Sequence, residues 1–447
     1  MREIRHELFD YQFQQELAKV FKDSSVGLCP VPPAQIGLAI ILQAYTGVSD
    51  DEAIEAMVMD RRWQLVLDCV DREQAPFGKG TLVRFRAALI ACEGDRMLIE
   101  RTIEMAQMRQ GYSSRTLRAA LDSSPLWGAA RVEDTYNLLG HARRKALEVI
   151  ARDQKQDLST IASQAGADLV SGSSLKAALD LDWDDPQQKT EALTRILETL
   201  NNVESWVTEK TDLNATAVTQ AKQSIEDARI IEAQDTELGA NGSAKLRKGV
   251  APNRRISIED KDMRHGRKSR NKCFNGYKRH VLKDLDLGVV RAVGVTSANQ
   301  PEAEVTLSIE TDLQSQKIKL EELQIDRAYL TSHLVKQRDS DLTIVCKSWR
   351  VRNGKLFDKT AFVLDWENSI IICPHGINLP FVQGQVVHFP KDECNICPLR
   401  SQCTESKNGR SVSIHADELL LKELRERQKT GLRKSQTSCP WFQLNIV

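Results

Sequence analysis

The hydrophobic period changes partway along this chain, and that change limits the available folds more than any other feature. Up to about Glu232, apolar residues recur at helical spacing. After a basic segment, from about Tyr277, they alternate or form short blocks bounded by turn residues, as strands do. Residues from about 5 to 110 predict helices, with Ile36–Tyr45, Asp51–Met59 and Leu82–Cys92 carrying apolar faces. Ser49 followed by Glu52 resembles a capping box, and Pro30, Pro32, Pro33, Pro76 and Gly78 punctuate the region. A second helical stretch runs from Glu133 to about Glu232, rich in good helix formers and broken near Ser171–Ser174 and Asp182–Pro186.

Beyond it, Tyr277–Leu282 and Val289–Ser297 predict strands around an Asp284–Gly288 turn. A helix over Glu302–Gln314, a strand at Leu323–Asp326, a helix capped by Thr331 or Ser332, and a strand at Leu342–Lys347 follow. This alternation predicts an α+β to α/β core. Its first strand is expected before the helical insertion, around Leu117–Asp122, with Ser123, Ser124 and Pro125 stopping it.

Length allows two to four domains in 447 residues. Charges balance at 62 Lys and Arg against 62 Asp and Glu, so any attraction to nucleic acid must be local. It is local: Ala244–Lys283 holds fourteen Lys and Arg against three acids. The charged start, Met1–Asp10, is unlike a signal peptide, and the run Ile36–Leu42 is far short of a spanning helix. Ten cysteines, six of them scattered singly, are too sparse for a disulfide scaffold and suit a reduced, cytoplasmic protein.

Two aspartates end apolar runs. Asp326 follows Leu323 and Ile325 in IDRAYLTS, where a strand hands over to a helix, and Asp122 ends the run in LRAALDSSPLWG. Each alone reads equally as a turn or cap residue. As a pair on neighbouring strands they would suit two divalent ions about 3.5–4 Å apart, a site for phosphodiester chemistry. Mg²⁺ prefers such an all-oxygen environment, and the adjacent basic segment would meet DNA phosphates.

With these pieces in order the chain resembles a DDE-type insertion-element transposase with an RNase H-like catalytic core. The resemblance rests on PFGKGTLVRFRAAL (Pro76–Leu89), LDSSPLWGAARVEDT, and DKDMRHGRKSRNKCFNGYKRH (Asp260–His280) before two strands. IDRAYLTS and the Cys-rich block followed by GRSVSIH (Gly409–His415) complete it. It implies DNA-strand cleavage and transfer at element ends, with Asp122 and Asp326 as the first two Mg²⁺- or Mn²⁺-binding acids. It further implies that Tyr277 and Lys278 lie near the active strands and DNA, and that two copies assemble on element ends and target. Arg254, Arg255, Arg264, Arg267, Lys268, Arg270 and Lys272 are the other expected DNA contacts; surface charge would explain Lys278 equally, and by itself such a basic segment is usually a solvated face or flexible loop.

The family's third acid is expected on a late helix, in an Arg-x-x-x-Glu or Arg-x-x-Glu context. Here HADELLLKELRERQKT runs into GLRKSQTSCPWFQLNIV, without a further acid after Glu426. Glu418, Glu423 and Glu426 remain candidates, though Glu418–Lys422 and Glu423–Arg427 also read as i,i+4 surface pairs. The expectation is a truncated or frame-shifted C-terminus and an incomplete triad.

Cys373, Cys394, Cys397 and Cys403 give C-x20-C-x2-C-x5-C, which suits tetrahedral Zn²⁺. His375 or His388 could replace one thiolate. Four ordinary free cysteines, or a redox C-x2-C, are the competing readings. Cys29, Cys69, Cys92, Cys273, Cys346 and Cys439 read as incidental or packing residues. Among aromatics, Tyr112, Trp127, Tyr136, Phe274 and Tyr277 could stack on extruded bases, but only Phe274 and Tyr277 lie among basic residues. No phosphate loop, nucleophile elbow or His-Glu-x-x-His motif occurs.

The expected organisation is a helical DNA-binding domain over 1–110, a first core strand over 111–132 and a helical insertion over 133–240. The basic segment and the rest of the core take 241–365, a Cys-rich module 366–410, and a helix with an atypical tail 411–447. The function expected is metal-dependent DNA transposition without a membrane partner. Its alternatives are a non-catalytic, DNA-binding remnant or inhibitor and a general nuclease on the same core.

Overall fold

A computed structural model of the chain describes residues 3–21, 31–92, 94–110, 116–172, 174–179, 181–210, 213–239, 243–269, 271–349 and 351–429. Arg270, Tyr112, Cys29, Cys439 and everything after Lys429 therefore lie outside the described residues.

In chain order, helices α1 (Arg5–Leu8), α2 (Tyr11–Ala18), α3 (Pro33–Thr46), α4 (Asp50–Met59), α5 (Arg61–Leu67), α6 (Lys79–Ala91) and α7 (Gly94–Gln110) precede strand β1 (Thr116–Trp127). Helices α8 (Thr135–Gln154), α9 (Leu158–Gln164), α10 (Leu175–Leu179), α11 (Pro186–Glu209) and α12 (Ala215–Asp235) form the insertion. A small hairpin, β2 (Thr236–Leu238) and β3 (Ala244–Leu246), leads to β4 (Arg264–Ser269), β5 (Lys272–Asp284) and β6 (Val290–Ser297). Then come α13 (Thr306–Ser315), β7 (Lys319–Ile325), α14 (His333–Lys336) and β8 (Thr343–Val345). The last part holds short strands β9 (Val363–Asp365), β10 (Ile370–Ile372), β11 (Asn378–Pro380), β12 (Val386–His388) and β13 (Ser411–Ser413). Helices α15 (Lys391–Ile396), α16 (Arg400–Cys403) and α17 (Glu418–Lys429) accompany them. No helix among the described residues is long and apolar enough to cross a membrane.

The chain divides into two compact units: Met1–Asp122, Val281–Val293 and Thr306–Val447 form one, and Ser123–His280 with Gly294–Val305 the other. In the first unit, the N-terminal helices bury Leu17, Ile36, Met57, Leu67 and Leu82. Ser49 and Glu52 make the reciprocal capping box: the Ser49 hydroxyl accepts from the Glu52 N–H at 3.3 Å, and Glu52 accepts from the Ser49 N–H at 2.7 Å. The same unit contains a mixed sheet. Here β1 pairs in parallel with β7, and β7 with β8. On the other side of β1 lies β5, next to β6. The Asp284–Arg291 pair, both residues at most 4% exposed, pins the β5–β6 turn at 2.7 Å.

The second unit is dominated by the insertion. Leu138, Leu139, Leu147, Ile196, Leu200 and Ile225 pack α8, α11 and α12 together. Arg143 is fully buried among them, donating to the Leu139 carbonyl at 2.7 Å and to the Ile196 carbonyl. Burial pulls its guanidinium down to about 9. In this unit β4 and β5 form an antiparallel hairpin, pairing Arg264 with Gly276 and Gly266 with Phe274. The sequence expected no strand at β4, whose Arg-His-Gly-Arg-Lys-Ser lacks apolar alternation.

Candidate active site

Strand alternation buries Leu117, Ala119 and Leu121 on β1 and Leu323 and Ile325 on β7. In the parallel pairing Leu121 lies opposite Ile325. The next residue after each is an aspartate: Asp122 continues β1, and Asp326 follows the last residue of β7. Asp122 is half-buried and Asp326 exposed. Asp326 is still extended (ψ 175°) and caps the following turn, its carboxylate accepting from the Ala328 N–H at 2.9 Å. Tyr329 and Leu330, both buried, anchor that turn, and Ser332 caps α14. Burial, together with the Asp326 carboxylate beside it, pushes the Cys346 thiol up to about 12, so this cysteine is a packing residue.

The candidates for a third acid lie on α17. Glu418 is not the surface i,i+4 partner of Lys422 that its spacing suggests. It is fully buried, paired with Lys359 at 2.5 Å and Arg425 at 2.6 Å, and accepts from the His415 N–H at 3.0 Å. Burial works to raise its carboxyl, but Lys359 and Arg425 outweigh it and hold the group below its usual range. Glu423 pairs with Arg427 at 2.5 Å, as expected, and Glu426 is exposed. The far end of α17 reaches the sheet: Arg427 donates to the Ile344 carbonyl at 3.2 Å and Gln428 to that of Cys346 at 3.3 Å.

In the second unit the basic segment is not one charged face. Arg255, 4% exposed, pairs with Asp227 at 2.8 Å and donates to the Ser257 and Ile258 carbonyls. Arg254 grips Asp235 with two nitrogens, at 2.9 and 2.6 Å. Arg264 donates to Asn253 at 2.8 Å and Lys278 to the Gln300 carbonyl at 2.7 Å. Tyr277 donates its hydroxyl to Asp260, and burial followed by that carboxylate pushes its phenol upward. Arg267, Lys268 and Lys272, around the β4–β5 turn, are exposed, and among the described residues none forms an ion pair. Two neighbours fix the shape of β5. Gly276 (φ +141°) is so close to Leu126, Trp127 and Gly128 that a Cβ would strike their backbone. Trp127, 62% exposed, meets Phe274 edge-on at 6.2 Å, whereas Tyr136 is buried.

Cys373, Cys394, Cys397 and Cys403 line one pocket in the last part of the chain, and all are free thiols. Burial raises the Cys403 thiol, and the other three thiols add to the effect. His375 lines the same pocket; His388 does not. Among the described residues no group of three or more His, Cys, Asp or Glu side chains is drawn up as a metal site.

Residues 372–439 match the family model described as a transposase DDE domain. The match covers the cysteines, α17 and the sequence beyond it, and leaves Asp122 and Asp326 outside. It supports a DDE-type transposase, a family whose members act on DNA and generally use divalent metals. No curated protein and no solved structure matches the chain.

Proposed function

We propose that this protein is a DNA transposase that cleaves and transfers strands at insertion-element ends, with an RNase H-like core carrying the chemistry. The observation that carries this reading is the registered pair Leu121 and Ile325 on parallel strands, each followed by an aspartate, Asp122 and Asp326. The strand arrangement supports it: an antiparallel β6–β5–β1 run is followed by β7 and β8 in parallel. The Leu285 N–H meets the Arg118 carbonyl and the Gly128 N–H that of Asn275, antiparallel contacts between β1 and β5, and the Asp284 N–H meets the Val289 carbonyl at the β5–β6 turn. Two carboxylates that each follow a residue of that pair, one of them open to solvent, fit hard divalent ions that keep several waters. Asp122 and Asp326 would hold Mg²⁺ or Mn²⁺. The ions would activate a water or 3′-hydroxyl and stabilise the departing oxygen.

The exposed Arg267, Lys268 and Lys272 supply the phosphate grip, and the N-terminal helices the recognition of element ends. Arg254 and Arg255, held by Asp235 and Asp227, act inside the fold. Two copies bring two element ends together. Purified protein should nick end-sequence DNA only with Mg²⁺ or Mn²⁺, and Asp326→Asn should lower the rate by at least 10³-fold with DNA affinity unchanged. Cleavage that ignores the terminal sequence would instead indicate a general nuclease.

A second reading is favoured by one observation. Glu418 and Glu423 are both committed to ion pairs. A chain lacking a third metal-binding acid would bind element ends without cutting them, and would act as an inhibitor of intact relatives. Salt-sensitive DNA binding with no cleavage at any divalent-ion concentration would establish this reading.

A further inference from the structure

The segment from Phe362 to Ile414 is held together by little apolar packing. Its strands β9 to β13 are three residues each, arranged as a three-stranded and a two-stranded sheet. Its buried centre consists of a few residues, among them Ile371, Phe381, Phe389 and Val412. A core this small contributes little stability on its own, and natural segments of this size add disulfides or a metal. No disulfide is present here, yet four thiols converge on one pocket: Cys373 from the turn after β10, Cys394 and Cys397 from α15 and its C-terminal end, and Cys403 from the end of α16.

The turns are shaped around the sulfurs. After Cys373, Gly376 (φ +93°) returns its N–H to the Cys373 carbonyl at 2.9 Å, and the Ile377 N–H donates to the Cys373 sulfur at 3.3 Å. Gly409 (φ +85°) backs Cys394: a Cβ there would lie 2.6 Å from the Phe389 carbonyl and 3.5 Å from the Cys394 sulfur.

We propose that Cys373, Cys394, Cys397 and Cys403 bind one Zn²⁺ in a closed, structural site. Four thiolates at about 2.3 Å satisfy its tetrahedral preference and leave no open position for substrate. The described thiols line the pocket without being drawn up at ligand geometry, and the ion closes them onto itself. The segment then folds around the metal rather than around its apolar residues. Lys359, which donates to the Ser413 carbonyl of this segment at 2.8 Å, also pairs with Glu418 and so ties α17 to it.

Elemental analysis of the full chain, purified under reducing conditions, tests this. One zinc per chain, released by a thiol-blocking reagent, is the expected result, and each of C373S, C394S, C397S and C403S should lose it. Absence of zinc, with all four thiols reacting at once in the native protein, would overturn the proposal. Should the variants fail to fold, Co²⁺ exchanged into the wild-type protein decides. A visible spectrum of tetrahedral four-thiolate cobalt, unchanged by His375→Ala, upholds the site. A spectrum of three thiolates and one imidazole, lost in His375→Ala, overturns the ligand set.

Discussion

The helical insertion and the Cys-rich segment are stabilised by different means. Helices α8, α11 and α12 bury a long series of Leu, Ile and Ala side chains, enough to order even an Arg143 that meets only carbonyls. The Cys-rich segment has three-residue strands and few buried apolar groups, and it borders a buried charge centre at Glu418 on α17. Apolar burial scales with the area removed from water. A segment with little to bury must use bonds of another kind, and such bonds depend on solution conditions in a way that packing does not.

That contrast can be broken most directly by chelation. Stripping metal from the protein should melt the Cys-rich segment, a loss on the order of 10 kcal/mol of apparent folding energy for a structural zinc. Hydrogen exchange should then rise over 362–414 and stay slow over α8, α11 and α12; uniform protection after chelation would erase the distinction. Next in size is Glu418→Gln, which leaves Lys359 and Arg425 without their buried partner and should cost about 3–5 kcal/mol. Its signature is loosening of α17, read by exchange or limited proteolysis. In the insertion, Leu147→Ala and Ile196→Ala each create a cavity in a fully buried site and should cost about 2–5 kcal/mol. A denaturant midpoint that does not move would show that the insertion is not held by this packing.

The smallest effect sharpens the comparison from the insertion's side. His141 contacts Glu133 at 2.8 Å and Glu259 at 3.0 Å through its two ring nitrogens. The hydrogen bond to Glu133, opposed by burial and aided by both carboxylates' charge, raises its pKa. A raised folded pKa means that the contribution is complete below the unfolded value of about 6.5 and fades as pH climbs through the folded value. Stability of the insertion should therefore decline gently as pH rises from the unfolded value through the raised folded one, and His141→Gln should remove that slope.

Much of the region around the two candidate aspartates was legible because strands announce themselves by alternation. Leu121 and Ile325 end two such runs, and each is followed by aspartate. The Ser49–Glu52 cap was equally legible, since its geometry is local. What escaped depended on partners distant in sequence. Pro125 reads as a stop, yet β1 continues to Trp127. Its pairing with β7 ends at Leu121, so the Pro125 nitrogen has no carbonyl waiting on that side. Arg254 and Arg255 look like surface charge until Asp235 and Asp227, on α12, are brought against them. Glu418 looks like half of a surface pair because Lys359 and Arg425, its true partners, lie at other spacings.

Helix α17 is tied at both ends. Near its start, Glu418 is clamped by Lys359, and near its end Arg427 and Gln428 hold the carbonyls of Ile344 and Cys346. A helix fixed at two points is a gauge of both length and angle. Adding or removing one residue between Glu418 and Arg427 would shift the far end by about 1.5 Å and turn it by roughly 100°. Either the clamp or the grip on β8 would then miss its mark. Point substitutions along the exposed side of α17 should be absorbed easily, whereas a single-codon insertion or deletion there should not.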